Sequence, residues 1–177
     1  PIRDNDGAIT QLRAMQDEWR GAGRDTADLY ATAHAGGCIL GEGEPADSAR
    51  AKAQAGPAAA MILHDMVEAE FFGTLGFRIP NALRPLLDEY KTIYKAYEPE
   101  DARYLSVHRG HLMILRPEEE HLIGGEMIKA LSFTATVPEL HDRIHELADS
   151  GYSQISFHIR YGQDNTVEEW AELVAGM

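Results

Sequence analysis

Residues 138–170, PELHDRIHELADSGYSQISFHIRYGQDNTVEEW, decide how the rest of the chain is read. Leu140, Ile144, Leu147 and Ala148 recur at three- and four-residue spacing, which places them on one helical face, and Gly151 stands where that helix would stop. Ile155, Phe157 and Ile159 then form a short β-rich run, and a polar loop leads into a second, acidic helix. Helix, strand and helix in this order make one α/β unit. His158, Arg160 and Tyr161 fall at the exit of its strand, the end where parallel α/β sheets and barrels bind ligands.

Upstream, the Ile9, Leu12, Met15 and Trp19 spacing predicts a helix over 9–19 that Gly21 and Gly23 stop. A strand over 28–40 follows, and its exit carries Gly36, Gly37, Gly41 and Gly43. Pro45, Asp47 and Ser48 then start a helix that runs through Glu70. FFGTLGFRIPNALRPLL is broken by glycine and proline and is expected to be an irregular crossing into a helix over 86–97. Residues 98–131 are read less easily, since ARYLSVHRGHLMIL fits a hairpin or a helix equally well. With no internal repeat or low-complexity linker, residues 1–177 are expected to be one domain or part of one.

ELADSGYSQISFHIRYG and the acidic helix after it resemble the closing α/β unit of the luciferase-like flavin monooxygenases and their deazaflavin F-420 dependent relatives. The helix ending in AGRD, the run TADLYATAHAGGCIL and the alanine-rich helix beyond are similar to that family's seventh strand and its surroundings. The resemblance implies the C-terminal part of a TIM-type (β/α)8 barrel and an oxidoreductase that transfers hydride or activates oxygen through FMN or F-420. It also implies that much of the cofactor site lies on strands outside this chain. A complete barrel typically needs about 250 residues, whereas this chain has 177 and two well-marked strands, 28–40 and 152–159. Its start, PIRDNDGAITQLRAMQDEW, reads as the middle of a βα loop. The expectation is therefore an incomplete barrel, either a fragment of a longer protein or a chain that must combine with a complementary piece, another subunit or a second copy, because unpaired sheet edges invite pairing.

The formal net charge of −13, with no basic run to offset it, excludes a nucleic-acid surface. The longest apolar runs, such as residues 58–63, fall short of the roughly 20 residues that span a membrane. One cysteine, Cys38, permits no intrachain disulfide and suits the reducing cytoplasm. Phosphate loop, dinucleotide fingerprint, nucleophile elbow and paired C-x-x-C are all absent.

Three constellations remain. Alternation puts Ser156, His158 and Arg160 on one strand face, where Arg160 offers a planar fork for a carboxylate or phosphate, and Tyr161 follows. The bland reading pairs Arg160 with Asp164 or Glu168. In YATAHAGGCIL, Tyr30, Thr32 and His34 share a side, and Gly36 and Gly37 would let a cofactor approach the backbone, or else serve a tight turn. His34, Gly36 and Gly37 are thus the candidate cofactor contacts, and His158, Arg160 and Tyr161 the candidate substrate contacts.

The third constellation is histidine-rich. His108, Arg109 and His111 are candidate substrate contacts at the barrel mouth, set against a surface ion-pair network with RPEEEH. HDRIH places His141 and His145 one turn apart but lacks a zinc-protease glutamate, so a solvated or capping role is expected and no metal is assigned. Two alternatives to the oxidoreductase stand: a non-catalytic half-barrel acting through oligomerisation, and a metal-dependent hydrolase using His108, His111 and His121.

Overall fold

A computed structural model of the chain describes residues 2, 4–73 and 83–177. Helix α1, Asn5–Gly21, opens where the Asp4 carboxylate accepts the Gly7 N–H and closes before Gly23, which takes φ +73°. Its buried face is Ala8, Ile9 and Leu12, while Met15 stays exposed.

The expected strand over 28–40 is shorter and divided. Asp25 caps a turn of 3-10 helix, Thr26–Asp28, and regular pairing is confined to β1, Thr32–Ala35, and β2, Ile39–Leu40. The run is nonetheless central, and its alternating carbonyls say why. Ala35 O accepts the His158 N–H on one edge, whereas His34 O and Gly36 O accept the Ile2 and Phe133 N–H groups on the other. On the first edge β4, Gln154–Phe157, lies parallel to β1, with Thr32 opposite Gln154 and Ala35 opposite Phe157. On the second, β3, Ala135–Thr136, lies parallel to β2. Strand β3 is too short to leave a periodic signal, and β4 is shorter than the expected 152–159 because β1 ends at Ala35.

Helix α2, Ala49–Phe72, follows β2. The Ser48 hydroxyl caps its Ala51 N–H and Gly73, at φ +67°, ends it. Helix α3 is Arg84–Lys95, two residues earlier than the expected 86–97, because Pro85 fits the first turn. The irregular crossing expected before it falls largely on 74–82, outside the described residues. Neither a hairpin nor one helix occupies 98–131. That stretch holds the short helices α4, Arg103–Val107, and α5, Gly125–Leu131, with turns between them. Helix α6, Val137–Asp149, starts where the Glu139 carboxylate accepts the Thr136 N–H, and Gly151 at φ +109° turns the chain into β4. Helix α7 is Thr166–Ala175.

Two cores result. Ala8, Ile9, Ala35, Phe133, Leu140, Ile144, Leu147 and Trp170 join α1, α6 and α7 to one face of β1 and β4. Leu63, Met66, Leu87, Tyr90, Ile123 and Ile128 join α2, α3 and α5 beyond β2. The described residues make a mixed α/β unit in which helix predominates and every strand pairing is parallel; they do not close a barrel.

Candidate functional site

Side chains alternate along β1 and β4, so one face is apolar and one polar. Ile155 and Phe157 turn toward the helices, where the Phe157 ring stacks on Trp170 with centroids 3.9 Å apart. Thr32, His34, Gln154, Ser156 and His158 share the other face, tied by a 3.1 Å hydrogen bond from the Thr32 hydroxyl to Gln154 Oε1. His34 and His158 are exposed there. A cleft of about 730 Å³ runs from His34 and Thr32 to Gln11 and Gly7 of α1.

Arg160 is 3% exposed, so it leaves the surface that Asp164 or Glu168 would require, and no carboxylate pairs with it among the described residues. Its Nε donates to Gln54 O at 3.3 Å and its Nη1 to Leu112 O at 2.6 Å and to His158 Nδ1 at 2.8 Å. Burial lowers its pKa to about 10. Because His158 accepts at Nδ1, its neutral ring carries the proton on Nε2. Burial, and then the Arg160 charge, hold His158 below the usual imidazole range. Nη2 of Arg160 makes no hydrogen bond among the described residues and lies beside Gly36, where a Cβ would come within 3.0 Å of it.

Gly37 faces elsewhere. A Cβ there would lie 2.1 Å from Phe133 O, so strand approach accounts for this glycine rather than a ligand. Tyr161 is 77% exposed beyond the strand exit. Cys38 is fully buried, its thiol pushed up to about 11 by burial, which suits the packing role expected of it.

The HRGH turn reaches the same neighbourhood, because Leu112, whose carbonyl Arg160 holds, follows His111 directly. Gly110 at φ +77° and Leu112 at φ 61° fold the turn so that His108 Nδ1 and His111 Nδ1 stand 3.1 Å apart. Arg109 points to solvent. The structure adds His64, on the buried face of α2, which sequence reading passed over. One ring nitrogen each from His64, His108 and His111 lies within 4.8 Å of the others.

Carboxylates hold the far sides of two of these rings. Glu119 Oε1 accepts from His64 Nε2 at 2.8 Å, from the Tyr90 hydroxyl at 2.9 Å and from Arg116. Burial alone would raise the Glu119 carboxyl, but the hydrogen bonds from His64 and Arg116, with the Arg116 charge beside them, prevail and hold it near 2. Glu68 Oε2 lies 3.1 Å from His108 Nε2. Burial, with His108 and His64 alongside, keeps His111 below the usual imidazole range.

The surface network expected around RPEEEH is in part an interior one, since Arg116 and Glu119 are buried. His121 does stay outside, pairing with Glu89 at 3.1 Å, and takes no part in the cluster. His141 Nε2 donates to Leu173 O at 2.9 Å, the capping role expected of it, and His145 is exposed. His64 was detectable only as a histidine one turn before Glu68 within an apolar helix; its partners lie 44 and more residues downstream.

No family model, curated protein or solved structure matches the chain. No helix of the described residues is long and apolar enough to cross a membrane.

Proposed function

We propose that this chain forms part of a luciferase-like α/β-barrel oxidoreductase acting on a small-molecule substrate through FMN or F-420, in the cytoplasm. One observation carries the reading. Two adjacent parallel strands present a polar, solvent-facing surface, and at their exit ends His34, Gly36, His158 and Arg160 come together. In α/β folds that end is where ligands bind.

The residues fit one wall of such a site. His158 offers a neutral Nε2–H donor to a ring carbonyl, and Arg160 Nη2 offers a fixed cation to an anionic tail. Gly36, without a side chain, leaves the room that the Arg160 guanidinium occupies beside it. When bound, the flavin or deazaflavin would supply the hydride or oxygen chemistry. The remaining walls would come from a complementary barrel piece or a second copy. Titrating FMN and F-420 with the purified chain and following their fluorescence tests the reading. Because the chain supplies one wall only, weak but saturable quenching by one of the two cofactors, lost in His158→Ala, is expected; quenching by neither overturns the reading.

The non-catalytic reading, association alone, draws on a separate feature. Ile155, Phe157, Ile159, Val167, Trp170 and Val174 line an apolar groove of about 600 Å³ beside β4, which pairs with β1 alone among the described residues. A partner strand and helix would cover it.

A further inference from the structure

We propose that His64, His108 and His111 form a binding site for a divalent transition-metal ion. The assignment stands apart from the barrel reading, since it rests on side chains of α2 and of the 108–111 turn.

Three nitrogens no more than 4.8 Å apart need side-chain shifts of about 1 Å to meet a common ion at about 2.0–2.1 Å. Protonation bookkeeping favours that ion. His64 Nε2 is committed to Glu119, which leaves its buried Nδ1 as a lone pair without a partner. A buried acceptor with no donor is costly, and a metal would satisfy it. His108 likewise turns Nε2 to Glu68, so its Nδ1 is an acceptor, to which His111 Nδ1–H donates at 3.1 Å, a proton that moves to His111 Nε2 when an ion takes both nitrogens. That separation is close to the spacing of two nitrogens on one tetrahedral ion.

The surroundings match what histidine ligands require. A carboxylate behind an imidazole fixes its tautomer and raises its basicity, and Glu119 and Glu68 stand in those positions for His64 and His108. Glu119 is itself held by Tyr90 and Arg116, so the His64 ring is set before any ion arrives. Gly110 sets the turn that brings the other two rings together. Imidazole donors select zinc, copper, nickel, cobalt or iron over magnesium and calcium. Three protein nitrogens, with His108 and His111 partly open to solvent, leave a coordination position for water or substrate. The histidine set of a metal-dependent hydrolase is thereby revised, with His64 in place of His121.

The test is calorimetric titration of the tag-free, chelator-treated chain with Zn²⁺, repeated with Co²⁺ and followed by its visible absorption. One ion per chain, bound tighter than about 1 µM, is expected, with the tetrahedral Co²⁺ band. His108→Ala and His111→Ala, both at partly exposed positions, should weaken binding at least about 100-fold while circular dichroism stays native. Glu68→Gln should weaken it about 10- to 100-fold and keep the stoichiometry. His64→Ala is informative if it folds, and the two turn variants carry the test if it does not. Absence of stoichiometric binding, undiminished binding in both turn variants, or loss of binding in His121→Ala would overturn the assignment.

Discussion

Gly37 and Phe133 sit so close that a Cβ at position 37 would lie 2.1 Å from the Phe133 carbonyl oxygen and 2.3 Å from its carbon. The obstruction is backbone, so it cannot swing aside as a side-chain end would. Gly37→Ala must push β3 away from the central run and break the Phe133 N–H bond to Gly36 O. A loss of about 3 kcal/mol or more is expected in urea unfolding. Gly36→Ala meets the end of the Arg160 guanidinium at 3.0 Å and the His158 carbonyl oxygen at an ordinary 3.5 Å, and should cost about 1–2 kcal/mol. Equal midpoints for the two variants would contradict the strand geometry.

Arg160 predicts a different pattern. Its fork joins β4, α2 and the 108–112 turn through Gln54 O, Leu112 O and His158 Nδ1. Arg160→Met keeps the length of the stem but leaves Leu112 O without a donor and strips Gln54 O, an acceptor within α2, of its second one, at about 1–3 kcal/mol in all. Arg160→Lys should recover little, because one ammonium cannot reproduce a planar fork. Full stability in the lysine variant would show that charge alone matters at this position.

The local parts of this fold were legible because their causes are local. Leu140, Ile144 and Leu147 are the buried face of α6, as their spacing announces, and Gly151 takes the positive φ that stops the run. The parallel pairing of the strands around Ala33 and Ile155 follows from the helix between their neighbours. What could not be read is what depends on long-range meetings. β3 has two residues and exists because Phe133 docks on Gly36. His64 looks like one more residue of an apolar helix until His108 and Glu119, from turns with no periodicity, come against it. Arg160 carried a readable position but not a readable partner, since backbone carbonyls leave no mark in a sequence.

Acid should loosen the exit of β2. Glu44 accepts from the Gly41 N–H at 2.9 Å, from the Ser48 hydroxyl at 2.7 Å and from Arg50 at 2.5 Å, and Arg50 reaches on to Ile39 O and Glu169. Those hydrogen bonds, that from Arg50 foremost, hold its carboxyl at about 2 instead of 4.5. The folded pKa lies below the unfolded one, so the stabilisation is complete above about 4.5 and disappears as pH falls toward 2. Allowing for solvent screening, about 1 kcal/mol is at stake. The unfolding midpoint of the native chain should fall through that window by more than that of Glu44→Gln, and parallel curves for the two would rule Glu44 out as the acid-labile tie.

The apolar groove beside β4 makes the last prediction. Val167 and Val174 are 56% and 49% exposed on its α7 wall, while Trp170 between them is buried against Phe157. Charge placed on the two valines therefore faces whatever covers the groove and leaves the core intact. The native chain should sediment or scatter light as more than a monomer, with the fraction rising with concentration. The double variant Val167→Glu with Val174→Glu should be monomeric with an unchanged unfolding midpoint, since exposed substitutions of this kind shift stability by about 0.5 kcal/mol or less. A native chain that is monomeric at every concentration would remove self-association as the occupant and leave a different polypeptide as the one that pairs with β4.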